Sequence, residues 1–303
     1  MNICLVIPTY NAEKFIEPLF NKIAQQTLQP TSILVIDSSS RDNTTKLLAK
    51  YNCIAHVIPQ HEFDHAGTRK LATQLQDADF YIFMTQDALP ANEHTFENLM
   101  LAYNNSKVGC AYGRQLPFHN ATPLARHARL FNYPAQSQLR SLSDAKATGI
   151  KTCFNSDSFS SYRKQALLES GNFPERLIVG EDAVVAGKLL LNDWLIAYQA
   201  KAEVYHSHNY SLKQELERYF DIGVFHRLEN WLLTAFNRPE REGLRFTKSE
   251  ILYLYRNGYY TTIPRCIAGV FIRYLGYRLG YHYRCLPNFL RKVFSMHKYF
   301  WRN

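Results

Sequence analysis

No run of 18 apolar residues occurs anywhere in the 303-residue chain, so a membrane-spanning helix is not expected. Cysteine is sparse. The six residues Cys4, Cys53, Cys110, Cys153, Cys266 and Cys285 form no C-x-x-C pair, which argues against structural zinc and for reduced thiols in a cytosolic protein. His61, Asp64 and His65 have zinc-like spacing, yet no second ligand pair accompanies them. The dinucleotide-binding G-x-G-x-x-G is missing after the first apolar run. No nucleophile elbow surrounds Ser156, Asp157 and Ser158, which disfavours a hydrolase. A basic leader with a small-residue cleavage site is also absent, and residues 1–8 read as a first strand rather than a signal peptide. Acidic residues are missing from Ile251 onward: the last 53 residues hold nine Lys/Arg, no Asp/Glu and 14 aromatics. Taking those nine from the formal net charge of +9 leaves the first 250 residues neutral. A neutral body with a basic, aromatic tail suggests an anionic surface partner, either membrane or nucleic acid.

What is present is an alternation. Apolar strands are expected at residues 3–7, 33–36, 54–58, 80–85 and 108–112, separated by helices at 12–26, at 44–51, at 67–76 and near 93–103. Such alternation of buried strands and helices predicts an α/β fold with a Rossmann-like, mostly parallel sheet and right-handed crossovers. Residues 118–149 are mostly polar and carry Arg126, Arg129 and Arg140, which reads as a long mobile or substrate-facing segment. A strand near 154–162 and a helix opening at Gly180-Glu181-Asp182 follow. Residues 202–208 read as a strand, whose period of two places His206 and His208 on one face. Ser211 and Gln214 form a capping box that opens a helical region running to the end, broken near 237–243, Pro264 and Pro287.

In a parallel sheet the C-terminal strand ends share one rim, where ligands bind. Four polar clusters fall on that rim or at helix starts: Pro8-Thr9-Tyr10-Asn11, Asp37-Ser38-Ser39-Ser40, Thr85-Gln86-Asp87 and Glu181-Asp182. A carboxylate there with nearby imidazoles suits a divalent metal and a diphosphate.

This ordered set resembles the inverting family 2 glycosyltransferases, which have the GT-A fold. His65-Ala66-Gly67-Thr68-Arg69, Thr85-Gln86-Asp87-Ala88, His206-Ser207-His208-Asn209-Tyr210-Ser211 and Ser295-Met296-His297-Lys298 look, within that family, like bacterial rhamnosyltransferases of surface-polysaccharide assembly. The resemblance spans almost the whole chain. It implies a catalytic domain at 1–210, with the nucleotide sugar bound by 1–115 and the acceptor and base supplied by 116–210. Residues 211–303 are then a helical C-terminal extension. It further implies that Pro8, Thr9, Tyr10, Asn11, Asp37, Ser39, Arg69 and Gln86 line the donor nucleotide site, with Asp37 accepting from the pyrimidine N–H and Arg69 approaching the diphosphate. Asp87 would hold Mg²⁺ or Mn²⁺, helped by His206 or His208, since Thr85 stands where the family's first acidic residue belongs. Asp182 would be the general base and Glu181 would orient the acceptor. The donor implied is dTDP-L-rhamnose, with a UDP-sugar as the alternative. The acceptor implied is a lipid-linked glycan at the inner face of the bacterial cytoplasmic membrane. The tail's residue order lacks an RNA-binding signature and the rim is acidic, so nucleic acid is not an expected partner. Ile267, Val270, Phe271, Tyr274 and Leu275 follow helical spacing among basic residues, the pattern of an interfacial helix on an anionic membrane.

Overall fold

The computed structural model describes residues 1–237 and 240–301. Its centre is a nine-stranded sheet. The strands are β1 (Ile3–Thr9), β2 (Ser32–Asp37), β3 (Ile54–Val57), β4 (Phe80–Met84), β5 (Leu89–Pro90), β6 (Val108–Leu116), β7 (Gln138–Arg140), β8 (Phe159–Arg163) and β9 (Leu195–Tyr205). They run in the order β3-β2-β1-β4-β8-β6-β9-β5, with β7 also on β9. The α/β class stands, and the sheet is mixed. β1 to β4 pair in parallel, as does β6 with β9, whereas β8 is antiparallel to both β4 and β6. β8 lies between the two parallel parts and places Tyr162 opposite Tyr81 on one side and Cys110 on the other.

Period-two burial explains why the first strands read as unbroken apolar runs. Cys4 and Val6 of β1 join Tyr81 and Phe83 of β4 in one core cluster. Ile3, Leu5 and Ile7 join Phe80, Ile82 and Met84 in the cluster on the opposite face. The helix Glu13–Ala24 covers the second cluster through Ile16, Leu19, Phe20 and Ile23. The helices His65–Leu75 and Glu181–Leu191 cover the first.

Several elements depart from the sequence reading. Residues 118–149 are folded: a helix Pro123–Asn132 carries Thr122 as N-cap with Pro123 in its first turn, β7 follows, and a short helix Ala145–Thr148 closes the segment. Arg140 is buried and donates to the carbonyls of Lys151 and Phe154 at 2.6 Å each. The strand expected at 202–208 begins earlier and ends at Tyr205, so His206 and His208 sit in the following turn rather than on the strand. The helix expected at 67–76 begins at His65, and Asp64 caps it by accepting from the amides of Ala66 and Gly67. That accounts for Asp64 without a metal.

Ser211 and Gln214 do form a capping box on the helix Leu212–Leu228. The break expected near 237–243 overlaps residues outside the described ones, and the helix Glu240–Arg256 already includes 240–243. The helix Ile263–Tyr281 lies tightly along Leu212–Leu228, because a Cβ on Gly280 would come within 1.9 Å of the Phe220 carbonyl oxygen. Its outer face leaves Ile267, Phe271, Tyr274 and Leu275 exposed. Two arginines of this helix point inward: Arg265 pairs with Glu215 at 2.8 Å and Arg273 pairs with Glu250 at 2.8 Å. The last residues return to the start of the helix His65–Leu75, where His297 meets His65 edge-on at 5.3 Å and Tyr299 meets Phe63 at 6.1 Å. Asp221, fully buried, holds that return by accepting from the amides of Met296 and His297.

Candidate active site

The rim between β1 and β2 is a web of short bonds. Thr9 Oγ1 donates to Asp37 Oδ1 at 2.8 Å, Ser40 Oγ donates to the same oxygen at 2.6 Å, and the Ser40 amide donates to Asp37 Oδ2. Asp37 is completely buried. Its carboxylate shapes the turn, and it has no open face for a base in this structure. Asn11 and Ser39 are non-glycine residues with left-handed backbones, φ 47° and 57°. Such conformations persist only where their surroundings hold them. Here Asn11 Oδ1 accepts from the Arg41 amide, and Ser39 Oγ donates to the Ile58 carbonyl. Gln86 clasps the backbone of Tyr10 from both sides, accepting from its amide at 2.8 Å and donating to its carbonyl at 3.2 Å. Pro8 lies within β1 opposite Ile36. Of this group Tyr10 presents an exposed ring, 37% accessible, at the strand end.

Asp87, His206 and His208 come together as expected, although β4 and the turn after β9 are far apart in sequence. Their ligand atoms all lie within 4.8 Å of one another. His206 Nε2 is 3.5 Å from Asp87 Oδ1, His208 Nε2 is 3.8 Å from Asp87 Oδ2, and the two Nε2 atoms are 3.1 Å apart. Gln115, at the end of β6, accepts from His206 Nδ1 at 2.9 Å. That bond orients the ring with Nε2 turned toward Asp87. Burial alone would raise the Asp87 carboxyl, but its contacts with His206 and then Thr85 hold it well below the usual carboxylate range. Burial and the neighbouring His206 push His208 down to about 4, so it is a neutral imidazole at pH 7. An ionised carboxylate with two imidazoles is a donor set that fits a divalent cation, and one tolerant of nitrogen such as Mn²⁺.

Arg69 is placed otherwise than expected. It is 3% exposed and turned into the protein, with Nε 3.0 Å from Asp157 Oδ2 and Nη1 2.9 Å from Glu181 Oε1. Nη1 also donates to the His65 carbonyl at 2.8 Å. Its fork is thus occupied by two carboxylates, not directed at a diphosphate, and Glu181 is tied down as its partner. Asp157 is further held by Ser160 and Tyr162, at 2.6 and 2.7 Å. Asp182 stands beside this network in the first turn of Glu181–Leu191, keeps partial exposure, and accepts from the Ala183 amide at 2.8 Å. Desolvation, reinforced by the charges of Glu181 and Asp157, raises its carboxyl well above the ordinary value. A carboxylate of raised basicity next to a rim is suited to taking a proton.

Gln115, Asp157 and Arg129 belong to the site but were not singled out from sequence for it. Gln115 had a signal, since it ends a strand of this sheet, but β6 extends to Leu116 rather than stopping at residue 112 as expected.

The sequence profile described as glycosyl transferase family 2 matches residues 4–171. The O-antigen chain rhamnosyltransferase WbaN of Salmonella anatum is 42% identical over 99% of this chain and 95% of its own length. The O-antigen chain rhamnosyltransferase RfbN of Salmonella typhimurium is 42% identical over 100% of this chain and 97% of its own. Among solved structures, the mannosyltransferase PcManGT from Pyrobaculum calidifontis, determined with GDP-Man and Mn²⁺, aligns with a TM-score of 0.65 at 13% identity, covering 92% of this chain and 87% of its own.

Proposed function

This chain belongs to glycosyltransferase family 2, and from that premise we propose that it transfers L-rhamnose from dTDP-L-rhamnose, with inversion, onto a growing lipid-linked bacterial glycan. The observation that carries the sugar assignment is the 42% identity to two O-antigen chain rhamnosyltransferases, which extends over essentially the full length of each. The β1–β2–β4 rim binds the nucleotide. Thr9, Asp37, Ser39 and Gln86 hold its backbone in shape, while the exposed Tyr10 ring offers a stacking surface. Asp87, His206 and His208 would hold a divalent cation, which when bound would neutralise charge on the departing nucleoside diphosphate. Asp182 accepts the proton from the acceptor hydroxyl as that oxygen attacks the anomeric carbon from the face opposite the leaving group. Arg69 fixes Glu181, and with it the helix start that presents Asp182.

The exposed apolar face of Ile263–Tyr281 supports a peripheral seat on an anionic membrane, beside the lipid-linked acceptor. Arg278 and Arg284 flank it from exposed positions, whereas Arg265 and Arg273 are spent internally. Among the described residues no helix is long and apolar enough to cross a membrane. Donor screening with the purified chain, with products read by mass, tests the function directly. Transfer from dTDP-L-rhamnose is expected, and transfer from UDP-sugars alone would replace it with the other donor class. Flotation with anionic vesicles tests the seat: the chain should float at low salt and leave at high salt. A chain that stays in the soluble fraction at every salt concentration has no such seat.

A further inference from the structure

Two cations near the Asp87–His206–His208 cluster have no carboxylate partner. Arg129 donates through Nη1 to Gln115 Oε1, the same oxygen that accepts from His206 Nδ1, so its guanidinium is one side chain away from a cluster ligand. Its Nε is buried with no hydrogen-bond partner. Arg218 lies 5.7 Å over the ring of Tyr210, and that ring lies 5.3 Å from His208. Arg218 itself is exposed. Among the described residues neither arginine forms an ion pair. By contrast, Arg69, Arg114, Arg265 and Arg273 are all neutralised by carboxylates. Burial lowers the Arg129 guanidinium, and the charge of Arg218 adds to that lowering. A buried guanidinium with no carboxylate partner is unfavourable in the free protein and becomes favourable once an anion of high charge arrives.

Resting on the glycosyl-transfer reading, we propose that Arg129 and Arg218 form a diphosphate-binding pair that shares the anion with the Asp87–His206–His208 cluster. The chemistry supports a division of labour. Thr85 precedes the cluster where a second acid would strengthen it, and a set of one carboxylate and two imidazoles leaves much of the diphosphate's charge for other groups to meet. Guanidinium forks match phosphoryl oxygens geometrically, and Arg69, the arginine to which the family resemblance assigns this task, is committed elsewhere. A diphosphate reaches this site from either of two sources, the sugar nucleotide or a lipid-linked acceptor.

The test is calorimetric titration of the full chain with inorganic pyrophosphate, in EDTA and again with Mg²⁺. The wild-type chain is expected to bind in both, more tightly with Mg²⁺. Arg218→Gln, at an exposed position, should weaken binding about tenfold to hundredfold in EDTA, the usual range for one charge-assisted bond. Arg129→Gln should do likewise, with Arg129→Lys in part restoring affinity; thermal melts verify that each variant is folded. Titration with dTDP and KM measurements then identify the source. Weaker dTDP binding with a raised KM for the donor assigns the pair to the sugar nucleotide, and a raised KM for the acceptor alone assigns it to the lipid diphosphate. Wild-type affinity in folded Arg218→Gln and Arg129→Gln, or no pyrophosphate binding by the wild-type chain, overturns the pair. Pyrophosphate binding that depends on both arginines in a chain inactive with every nucleotide sugar would uphold the pair while removing the transfer reading.

Discussion

Replacing Arg69 by Gln separates a structural role from a ligand-binding one. In the folded chain the guanidinium is 3% exposed and lies 3.0 Å from Asp157 and 2.9 Å from Glu181, each of which is also buried. Removing it leaves two carboxylates in the interior with no counter-charge. Breaking a buried pair in this way costs roughly 3–5 kcal/mol, far more than the intact pair contributes over an apolar substitute. Glutamine supplies hydrogen-bond donors but no counter-charge, so the upper half of that range is expected. For a chain of this length a loss of about 4 kcal/mol lowers Tm by roughly 6 °C, from a per-residue unfolding entropy near 2 cal/mol/K. The assay is a thermal or denaturant melt alongside dTDP titration. The network also predicts a rescue: Arg69→Gln combined with Asp157→Asn should recover part of the stability, because one of the stranded charges is gone. A variant that melts like the wild type yet binds dTDP poorly would refute the internal role and return Arg69 to the diphosphate.

Asp182→Asn keeps the shape of the side chain but cannot accept a proton, so turnover should fall on the order of 10²–10⁴ with dTDP affinity intact. Lost dTDP binding would make Asp182 a donor-site residue instead. Because burial and the charges of Glu181 and Asp157 raise its carboxyl, and only the ionised form is a base, activity should decline on acidification from a pH above the ordinary carboxylate range. A pH–rate profile whose acid limb lies at an unshifted carboxylate value would contradict that. Asp221 is pushed up to about 7, chiefly by burial. A carboxyl raised in the folded state favours folding while it is protonated, so stability should fall as pH rises from about 4 to about 7, by a few kcal/mol. Asp221→Asn should flatten that dependence in melts across pH, and an unchanged slope would mean the buried carboxyl does not control it.

The sequence was most informative where burial on both faces leaves unbroken apolar runs. β1, β2 and β4 lie within two residues of their expected ends, and the Asp87 rim position follows from them. The Asp87–His206–His208 cluster was legible because a carboxylate and imidazoles are few and chemically distinctive, even though the histidines turned out to lie beyond β9. Arg69 was not. An arginine in a helix has the same appearance whether its partner is a substrate or a carboxylate such as Asp157, brought to it only by folding. Residues 118–149 were misread because the helix Pro123–Asn132 shows mixed polarity, although Thr122-Pro123 is a helix-start signal. β8 was located only roughly, and its antiparallel pairing depends on register between distant strands, which the local pattern does not encode.

The measurement that bears most directly on catalysis is rhamnosyl transfer by the purified chain and by Asp87→Ala, each with Mn²⁺ and with excess EDTA. Purified wild-type chain should convert dTDP-L-rhamnose and a lipid-linked acceptor to a rhamnosylated product of inverted anomeric configuration, with activity strongly reduced by EDTA and abolished in Asp87→Ala. Full activity in excess EDTA, or retained activity in Asp87→Ala, would contradict a metal-holding role for Asp87, His206 and His208.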